Sequence, residues 1–289
     1  MSMKKKRSLL LSVIIITYNQ ERYISQAIES VLMQKTDFSI ELLIGDDSSA
    51  DGTADIVMFY ASKYPEIIIP VIREKNIGAS ANYYDLLKRA KGTFIANLEG
   101  DDFWTDPMKL QKQVDFLESS NDYIGCSHRC SIVNSDGIVI SDKEPKWIIQ
   151  KQIYKLSDFK GLFLPGHPNS IVFRNIFLKS AFDDSIIGTA NYMVADRVLI
   201  AILAAHGSFF RIPDCMSSYR VVPDAGGATE VLFAKNKDNW LINIDLSIKI
   251  EQFLKNEFGI RINFAFYRNK VRIRHFCKLI YCLILKNKK

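Results

Sequence analysis

The sequence predicts an α/β protein built on a mostly parallel central sheet that is flanked by helices. Strand-like and helix-like segments alternate from residue 9 to residue 120, and the strand-like segments are almost continuously apolar. Continuous apolar strands are typical of parallel sheets that are covered on both faces. In a β-α-β-α order, each helix connects two parallel strands of such a sheet through a right-handed crossover.

The predicted elements follow in order along the chain. The first strand is the β-branched run Leu9–Ile16, and the helix Glu21–Gln34 after it carries apolar residues at helical spacing. The later strands are predicted at Ile40–Ile44, Ile67–Ile72 and Thr93–Leu98, and the later helices at Ala54–Tyr64, Ser80–Ala90 and after Asp106-Pro107. Proline suits the first turn of a helix.

The chain changes character beyond residue 122. Residues Ile132–Ile140 predict a hairpin around Ser135-Asp136-Gly137, and residues 150–222 mix short helices and strands. No clean linker separates the parts, so we expect one domain with two halves. The predicted divisions are a basic N-terminus (1–8), a nucleotide half (9–122), an acceptor and catalytic half (123–230) and a C-terminal helical region (231–289).

Composition indicates a folded body with charged ends. Hydrophobic residues make up 48% of the 289 residues and charged residues 24%, as in ordinary globular proteins. The net charge of +6 is unevenly spread, because residues 261–289 hold nine Lys or Arg and no Asp or Glu. This pattern differs from that of a uniformly basic nucleic-acid binder and fits contact with an anionic membrane surface.

The expected location is the cytoplasm, at the inner face of the membrane. Five cysteines and no secretory signal favour reduced thiols. The segment Cys126-Ser127-His128-Arg129-Cys130 does not suit zinc, because three ligands in five residues cannot easily surround one tetrahedral ion.

The tail 262–289 has Phe276, Leu279, Ile280 and Leu283 at helical spacing, which predicts a basic amphipathic helix.

Acidic residues gather where two predicted strands end. The pair Asp46-Asp47 follows the second strand, and Glu99-Gly100-Asp101-Asp102 follows the fourth. Carboxylates beside packed strand ends need partners, and the carboxyl ends of strands are where open α/β sheets bind ligands. We therefore predict one polar site for a Mn²⁺ or Mg²⁺ ion and a nucleotide diphosphate. The Gly-rich signatures of dinucleotide and phosphate loops are absent from the sequence.

An ordered set of motifs resembles the family 2 glycosyltransferases, which are inverting enzymes of the GT-A, Rossmann-like fold. The set consists of Ser12–Asn19, Asp46–Thr53, Asn76-Ile77-Gly78 with Asn82, Lys91-Gly92 leading to Glu99–Trp104, Gly166–Ser170, Ala195-Asp196-Arg197, and Tyr219-Arg220-Val221 with Gly226-Gly227. The resemblance covers roughly residues 10–225. Two departures are Ile16, where proline is common, and Glu99, where the first aspartate is usual.

The resemblance implies a role for each matched residue. The donor site would consist of Thr17, Tyr18, Asn19, Glu21, Asp46, Asp47, Arg73, Asn76, Glu99, Gly100, His167 and Arg220, with Asp46 on the base. Asp101 would be the main metal ligand, with support from Glu99 and Asp102. Asp196 would be the general base. His167 would contact phosphate or acceptor, and the alternative is an ordinary loop histidine. Arg220 would contact the diphosphate, and the alternative is a salt bridge.

The predicted function is metal-dependent transfer of a sugar, from a donor that is UDP-linked, to a hydroxyl of a lipid-linked bacterial surface glycan. A sugar nucleotidyltransferase is one alternative, but it would want a Gly-rich basic loop in place of Thr17–Glu21. The other is a nucleotide-sugar-binding scaffold without turnover. The presence of Asp46, Asp101 and Asp196 together favours the enzyme.

Overall fold

The computed structural model describes residues 10–189, 195–222 and 239–286, and it describes the side chains of the last segment from 241 to 275. Three predicted features lie outside these residues: the basic N-terminus 1–8, the Gly226-Gly227 pair, and the side chains of the apolar tail stripe from Phe276 to Leu283.

The described residues form ten strands and eight α-helices. The strands are β1 (Leu10–Thr17), β2 (Ser39–Asp46), β3 (Ile68–Ile72), β4 (Phe94–Glu99), β5 (Phe103–Trp104), β6 (Tyr123–Val133), β7 (Val139–Ser141), β8 (Ile153–Tyr154), β9 (Val172–Arg174) and β10 (Ser208–Arg220). The helices are α1 (Ile24–Leu32), α2 (Thr53–Lys63), α3 (Ala79–Arg89), α4 (Lys109–Ser119), α5 (Ile186–Thr189), α6 (Ala195–His206), α7 (Asn239–Phe258) and α8 (Ala265–Lys286). Two 3₁₀ turns span Leu156–Gly161 and Pro168–Ser170.

These ten strands make one sheet. Its main path runs in the order β3-β2-β1-β4-β9-β6-β10-β5, and β7 and β8 add to β6 and β10. The first four strands of that path are parallel to one another. The short strand β9 runs antiparallel between β4 and β6, and β6 and β10 are parallel again. The sheet therefore continues without a break across the expected boundary at residue 122.

The predicted fold class is confirmed. Each of the first four strands begins and ends within two residues of its prediction, and the hairpin around Ser135-Asp136-Gly137 exists as β6 paired with β7. The first helix begins three residues later than expected, because Tyr23 and Ile24 donate to the carbonyl of Gln20 in a turn after β1.

The core lies on both faces of the sheet because each strand alternates its side chains. On one face, Ile14 and Ile95 pack with α3, α6 and α7. On the other face, Val13 and Ile15 pack with α1, α2 and α4. Burial on both faces explains why these strands are continuously apolar in sequence. Among the described helices, none combines the length and apolarity that crossing a bilayer needs.

Candidate active site

The carboxyl ends of β1, β2 and β4 lie side by side and form the floor of the candidate site. Thr17 is in register with Asp46, and Ile16 with Glu99. Because the three strands are parallel, the segments that follow them leave the sheet at one edge. The strand register therefore brings the two acidic clusters to the same edge, on either side of β1.

The loop after β1 shapes the loop after β2. Asn19 has a φ of 52°, and its Oδ1 accepts a hydrogen bond from the N–H of Ala50 at 2.8 Å. The carboxylate of Glu21 accepts from the N–H of Gly52 at 3.0 Å. Asn19 and Glu21 thus have loop partners, whereas the Tyr18 ring is 48% exposed and presents a surface on which a planar base could stack.

Asp46 is fully buried at the end of β2. Its Oδ1 accepts from the Ser49 hydroxyl at 2.5 Å, and its Oδ2 accepts from the Ser49 N–H at 3.0 Å. A carboxylate offers about four lone-pair positions. Ser49 therefore orients Asp46 while each oxygen retains capacity for the N–H of a base.

Asp47, Asn76 and Arg73 form the wall beside Asp46. The Asp47 carboxylate accepts from two backbone N–H groups before α3, at 2.8 and 2.9 Å, and Asn76 Nδ2 donates to the Asp47 carbonyl at 3.1 Å. The Arg73 guanidinium donates to Asn82 and to Asp85, the latter at 2.5 Å. The three side chains were predicted to contact the nucleotide-sugar donor. In the structure, all three form hydrogen bonds that hold the loop between β3 and α3 in place.

Gly100 allows the turn after β4 to approach the loop after β1. A Cβ on Gly100 would lie 2.3 Å from Gln20 Oε1 and 2.7 Å from Thr17 Oγ1, closer than a side chain can fit. Thr17 Oγ1 donates to Gln20 Oε1 at 2.8 Å, and a hydrogen bond from Gln20 favours the ionised form of Asp101. The absence of a side chain at Gly100 thus keeps Asp101 beside Thr17.

Several acidic side chains lie close together in this turn. Desolvation, followed by the negative charges of Asp101 and Asp196, raises the pKa of Glu99 to about 8. Burial also raises the pKa of Asp101, although the charge of Arg220 partly opposes this. Carboxylates that repel one another are stabilised by a cation. Glu99 and Asp101 offer the carboxylate oxygens that a hard divalent ion prefers, but the ligand atoms that the structure brings together are those of Glu99, Asp102 and His167.

Asp102 is buried and already has partners. Its Oδ1 accepts from the Arg220 N–H at 2.8 Å, and its Oδ2 accepts from Asn169 Nδ2 at 2.7 Å. His167 Nδ1 is 3.5 Å from Asp102 Oδ2, and Nε2 is 4.0 Å from Glu99 Oε2. Because burial lowers the pKa of His167 to about 3, the ring is neutral and these approaches are not ion pairs.

His167 adds an imidazole to the acidic cluster. Ligand atoms of Glu99, Asp102 and His167 all lie within 4.8 Å of one another. The ring is fixed between Tyr219 and Trp147, whose ring centroids are 4.3 and 5.4 Å away. Sequence analysis expected His167 near phosphate or acceptor and expected only carboxylates around the metal. The folded chain instead makes the imidazole a possible third ligand.

Asp196 lies in the first turn of α6, across the site from β4. Burial raises the pKa of its carboxyl group, and one oxygen accepts from the Arg197 N–H at 2.7 Å. Because the charge of Asp196 raises the pKa of Glu99, the two carboxylates are close enough to interact. The third carboxylate predicted from the sequence is therefore within electrostatic range of the acidic turn.

Arg220 joins four segments around the site. Its Nε donates to the Asp101 carbonyl at 2.8 Å, its Nη1 to the Ser135 carbonyl at 2.8 Å, and its Nη2 to Gln26 Oε1 at 2.6 Å. The guanidinium also lies 4.6 Å from the centre of the Tyr23 ring. With a further bond from Nη1 to the Asn134 carbonyl at 3.1 Å, these contacts use four of the five N–H donors of the guanidinium.

Gln20 and Asn169 were not predicted as site residues from the sequence. Gln20 connects Thr17 with Asp101, and Asn169 connects Asp102 with β10 through hydrogen bonds to Ser217 and Ser218. Asn169 lies inside the motif Gly166–Ser170, and Gln20 directly follows the motif Ser12–Asn19, which is a signal that could have found them. A single amide in a loop carries no chemistry of its own, and only the fold supplies its partners.

A comparison with protein-family models identifies the family of this chain. The model of the family described as glycosyl transferase family 2 matches residues 12–180. The chain belongs to this family. The matched region contains both acidic clusters and His167, whereas Asp196 and Arg220 lie beyond it.

Two relatives show how far the similarity extends. An uncharacterized protein of Mycobacterium tuberculosis is 36% identical over 211 residues, which is 73% of this chain and 58% of the relative. The glucosyltransferase WfaP of Escherichia coli, named as acting with UDP-Glc on α-D-GlcNAc-diphosphoundecaprenol, is 37% identical over 120 residues, or 41% of this chain and 45% of that protein. The chain thus spans about three fifths of the mycobacterial relative.

Two solved structures share the fold. Staphylococcus aureus TarS 1–349 in complex with UDP-GlcNAc has a TM-score of 0.63 at 20% identity, covering 92% of this chain and 72% of that one. The mannosyltransferase PcManGT of Pyrobaculum calidifontis, in complex with GDP-Man and Mn²⁺, has a TM-score of 0.59 at 17% identity, covering 85% and 66%. At these identities the likeness establishes the fold, and the expected GT-A fold is confirmed.

Proposed function

We propose that this family 2 member is an inverting, metal-dependent glycosyltransferase that uses a UDP-linked sugar to extend a lipid-linked bacterial surface glycan. One observation carries the proposal: the charge of Asp196 acts on Glu99 in the acidic turn, which supports a candidate base within electrostatic range of the candidate metal ligands. The names of two similar proteins support it, because TarS was solved with UDP-GlcNAc and WfaP is named for an undecaprenyl-linked acceptor.

The donor nucleoside would lie over the ends of β1 and β2. Asp46, held by Ser49, would accept the imide N–H of a uracil base, and the exposed Tyr18 ring would stack on that base. Thr17 borders both this region and Asp101. A nucleoside placed there would direct its diphosphate toward the acidic turn after β4.

The metal would be held chiefly by Asp101, with Glu99 and Asp102 in support. The raised pKa of Glu99 and Asp101 supports this assignment, because a bound divalent cation would relieve the repulsion between them. When bound, the ion would stabilise the negative charge that grows on the leaving diphosphate. The neutral His167 would offer a nitrogen ligand or a hydrogen bond at the same place.

Asp196 would act as general base on the acceptor. The acceptor hydroxyl would attack the anomeric carbon from the face opposite the diphosphate, and a carboxylate oxygen of Asp196 would take the hydroxyl proton as the new glycosidic bond forms and the bond to the diphosphate breaks. The reaction would invert the anomeric centre in a single displacement. Burial, which raises the pKa of Asp196, makes this carboxylate a better base than an exposed one.

The experiment that tests the proposal uses Asp196→Asn. A thermal-shift screen of UDP-, GDP- and dTDP-sugars with Mn²⁺ first selects the donor, because a bound donor raises the Tm. With that donor and GlcNAc-diphosphoundecaprenol as the acceptor probe, we expect Asp196→Asn to keep the donor-induced shift and to lose turnover by roughly 100-fold or more. A variant with wild-type turnover would remove Asp196 from the mechanism.

Asp55→Asn is the matched control. Asp55 also lies in the first turn of a helix, α2, but it is exposed and on the other face of the sheet. Its replacement changes the same charge at the same helical position. We therefore expect turnover to stay at the wild-type level, so that a loss in Asp196→Asn cannot be assigned to the helix terminus alone.

The same measurements separate the two alternatives. A nucleotide-sugar-binding scaffold would give the thermal shift without release of nucleoside diphosphate from the wild-type protein. A sugar nucleotidyltransferase would be stabilised by a nucleoside triphosphate and would release pyrophosphate. The segment Thr17–Glu21 after β1 contains no lysine, arginine or glycine, and Arg22 beyond it pairs with Asp136. Both facts argue against a Gly-rich triphosphate loop there.

A further inference from the structure

Three polar atoms are buried behind the site without hydrogen-bond partners. They are Lys109 Nζ, Gln113 Oε1 and His128 Nε2, and none has a partner among the described residues. All three side chains are fully buried. Because buried polar groups nearly always bond to protein or to ordered water, three such atoms in one region require an explanation. We call these three residues the buried polar triad.

The members of the triad lie on α4 and β6, two elements that pack against each other. Lys109 and Gln113 are four residues apart on α4 and so share a helix face. His128 lies two residues from Cys126 on the same face of β6, and Gln113 Nε2 donates to the Cys126 carbonyl at 3.3 Å. Burial, and next the charge of Lys109, lowers the pKa of His128. Lys109 is therefore within electrostatic range of His128 and lies one helical turn from Gln113.

The hydrogen-bonding sense of each orphan atom follows from its neighbours. Gln113 Nε2 donates to the Ser170 carbonyl at 2.9 Å, which leaves Oε1 as an unpaired acceptor. His128 Nδ1 is 2.8 Å from the Arg129 carbonyl. Because a carbonyl only accepts, Nδ1 carries the ring proton and Nε2 is a bare acceptor. Lys109 supplies donors.

This combination of one donor group and two acceptors selects the ligand. The triad offers a metal cation no negatively charged ligand, and an anion would face the lone pairs of Gln113 and His128. Water both donates and accepts, and buried waters typically make about three hydrogen bonds. We infer that Lys109, Gln113 and His128 form an internal water site, in which water donates to the two acceptors and accepts from the Lys109 amine.

This water site would lie directly behind the candidate active site. Lys109 Nζ is 4.0 Å from the centre of a Trp104 ring, and Trp104 Nε1 donates to the Asn169 carbonyl at 2.9 Å. Asn169 in turn donates to the buried carboxylate of Asp102. The water therefore connects α4 and β6 at the base of the hydrogen-bonded wall that orients Asp102.

A high-resolution crystal structure of the wild-type full chain is the direct test. We expect a solvent peak within hydrogen-bond distance of Lys109 Nζ, Gln113 Oε1 and His128 Nε2. An empty space between these atoms would overturn the inference, and so would a direct bond from Lys109 to either acceptor. This test is independent of donor, acceptor and metal, so its failure leaves the proposed glycosyltransferase function untouched.

Solution NMR supplies a second test that does not need crystals. With ¹⁵N-labelled histidine, we expect His128 to show a protonated Nδ1, a hydrogen-bonded Nε2 and magnetisation exchange with water. Lys109→Met should shift the Nε2 resonance, because the water loses the donor that polarises it. Lys112→Met is the control, since Lys112 lies on the same helix and pairs with Asp106 and Asp214 at the surface. Absence of water exchange, or equal shifts in both variants, would contradict the inference.

Discussion

Burial changes the pKa of several ionisable side chains in this protein, and Lys109 is one of them. Lys109 reads in the sequence as an ordinary helical lysine, and its fully buried position could not be predicted from the chain. Burial lowers the pKa of Lys109 to about 7. The unfolded chain, with a lysine pKa near ~10.4, therefore binds one more proton than the folded protein between these two values.

The free energy of unfolding should consequently rise with pH at Lys109. The slope of this contribution approaches about 1.4 kcal/mol per pH unit between pH ~7 and pH ~10, because unfolding takes up a proton in this range and proton uptake becomes less favourable as the pH rises. Below pH ~7 both states are protonated and the slope vanishes. Urea unfolding of wild type and Lys109→Met across this range measures the difference. Parallel curves for the two proteins would contradict the pKa shift, and Lys112→Met, changed at the surface, should keep the wild-type slope.

The elements of the site were predictable to different degrees. Strands β1 to β4 are continuous apolar runs, and their parallel pairing follows from the helices between them. Strand β9 has three residues, Val172–Arg174, yet it joins β4 to β6. A pattern that short cannot specify partners so distant along the chain. The Pro168–Ser170 turn is equally short, so its hydrogen bond to the acidic turn after β4 could not be predicted from the sequence either.

Asn169 should prove to be the main polar link between these elements. Asn169→Leu keeps a similar volume but leaves Asp102 Oδ2 without its amide donor and the Ser217 hydroxyl without its acceptor. Buried groups left unpaired in this way cost about 1–3 kcal/mol each. We expect a loss of about 2–4 kcal/mol in urea unfolding, against less than ~0.5 kcal/mol for Asn121→Leu at the exposed turn that follows α4. Equal stabilities would show that the Asn169 bonds are not needed.

At the scale of the whole molecule, we propose that helix α8 brings the site to an anionic membrane surface. Phe266 is 83% exposed and Ile273 is 63% exposed, and their spacing of seven residues places them on one side of the helix. Lys270, Arg272 and Arg274 are exposed around them. Apolar and basic residues together are typical of helices that lie in a membrane interface.

Charge reversal tests this surface more cleanly than deletion of the tail. Phe264 is fully buried against Phe159, so removal of residues 262–289 would open the core. We expect Lys270→Glu, Arg272→Glu and Arg274→Glu together to abolish flotation with anionic liposomes while the Tm stays near the wild-type value. The control reverses Lys63, Lys91 and Lys179, three exposed lysines elsewhere on the molecule. If both triple variants float equally, α8 does not bind the membrane.

The sequence motifs could indicate which carboxylates form the site, but not how their charges interact. The division between Asp46 at β2 and the acidic turn at β4 follows from strand ends that are visible in the chain. The roles of Gln20, Asn169 and His167 follow from packing among loops, which the sequence does not specify. The raised pKa of Glu99, which links the turn to Asp196, exists only in the folded molecule.

The most direct test of the proposed site is a calorimetric titration of UDP into the wild-type protein and Asp101→Asn, each with Mn²⁺ and with chelator. The proposed metal site predicts that Mn²⁺ tightens UDP binding to the wild type at least about tenfold, roughly 1.4 kcal/mol, and that Asp101→Asn loses this gain while its affinity for UDP without metal is unchanged. Equal UDP affinity with and without Mn²⁺ in the wild type, or an undiminished Mn²⁺ effect in Asp101→Asn, would contradict it.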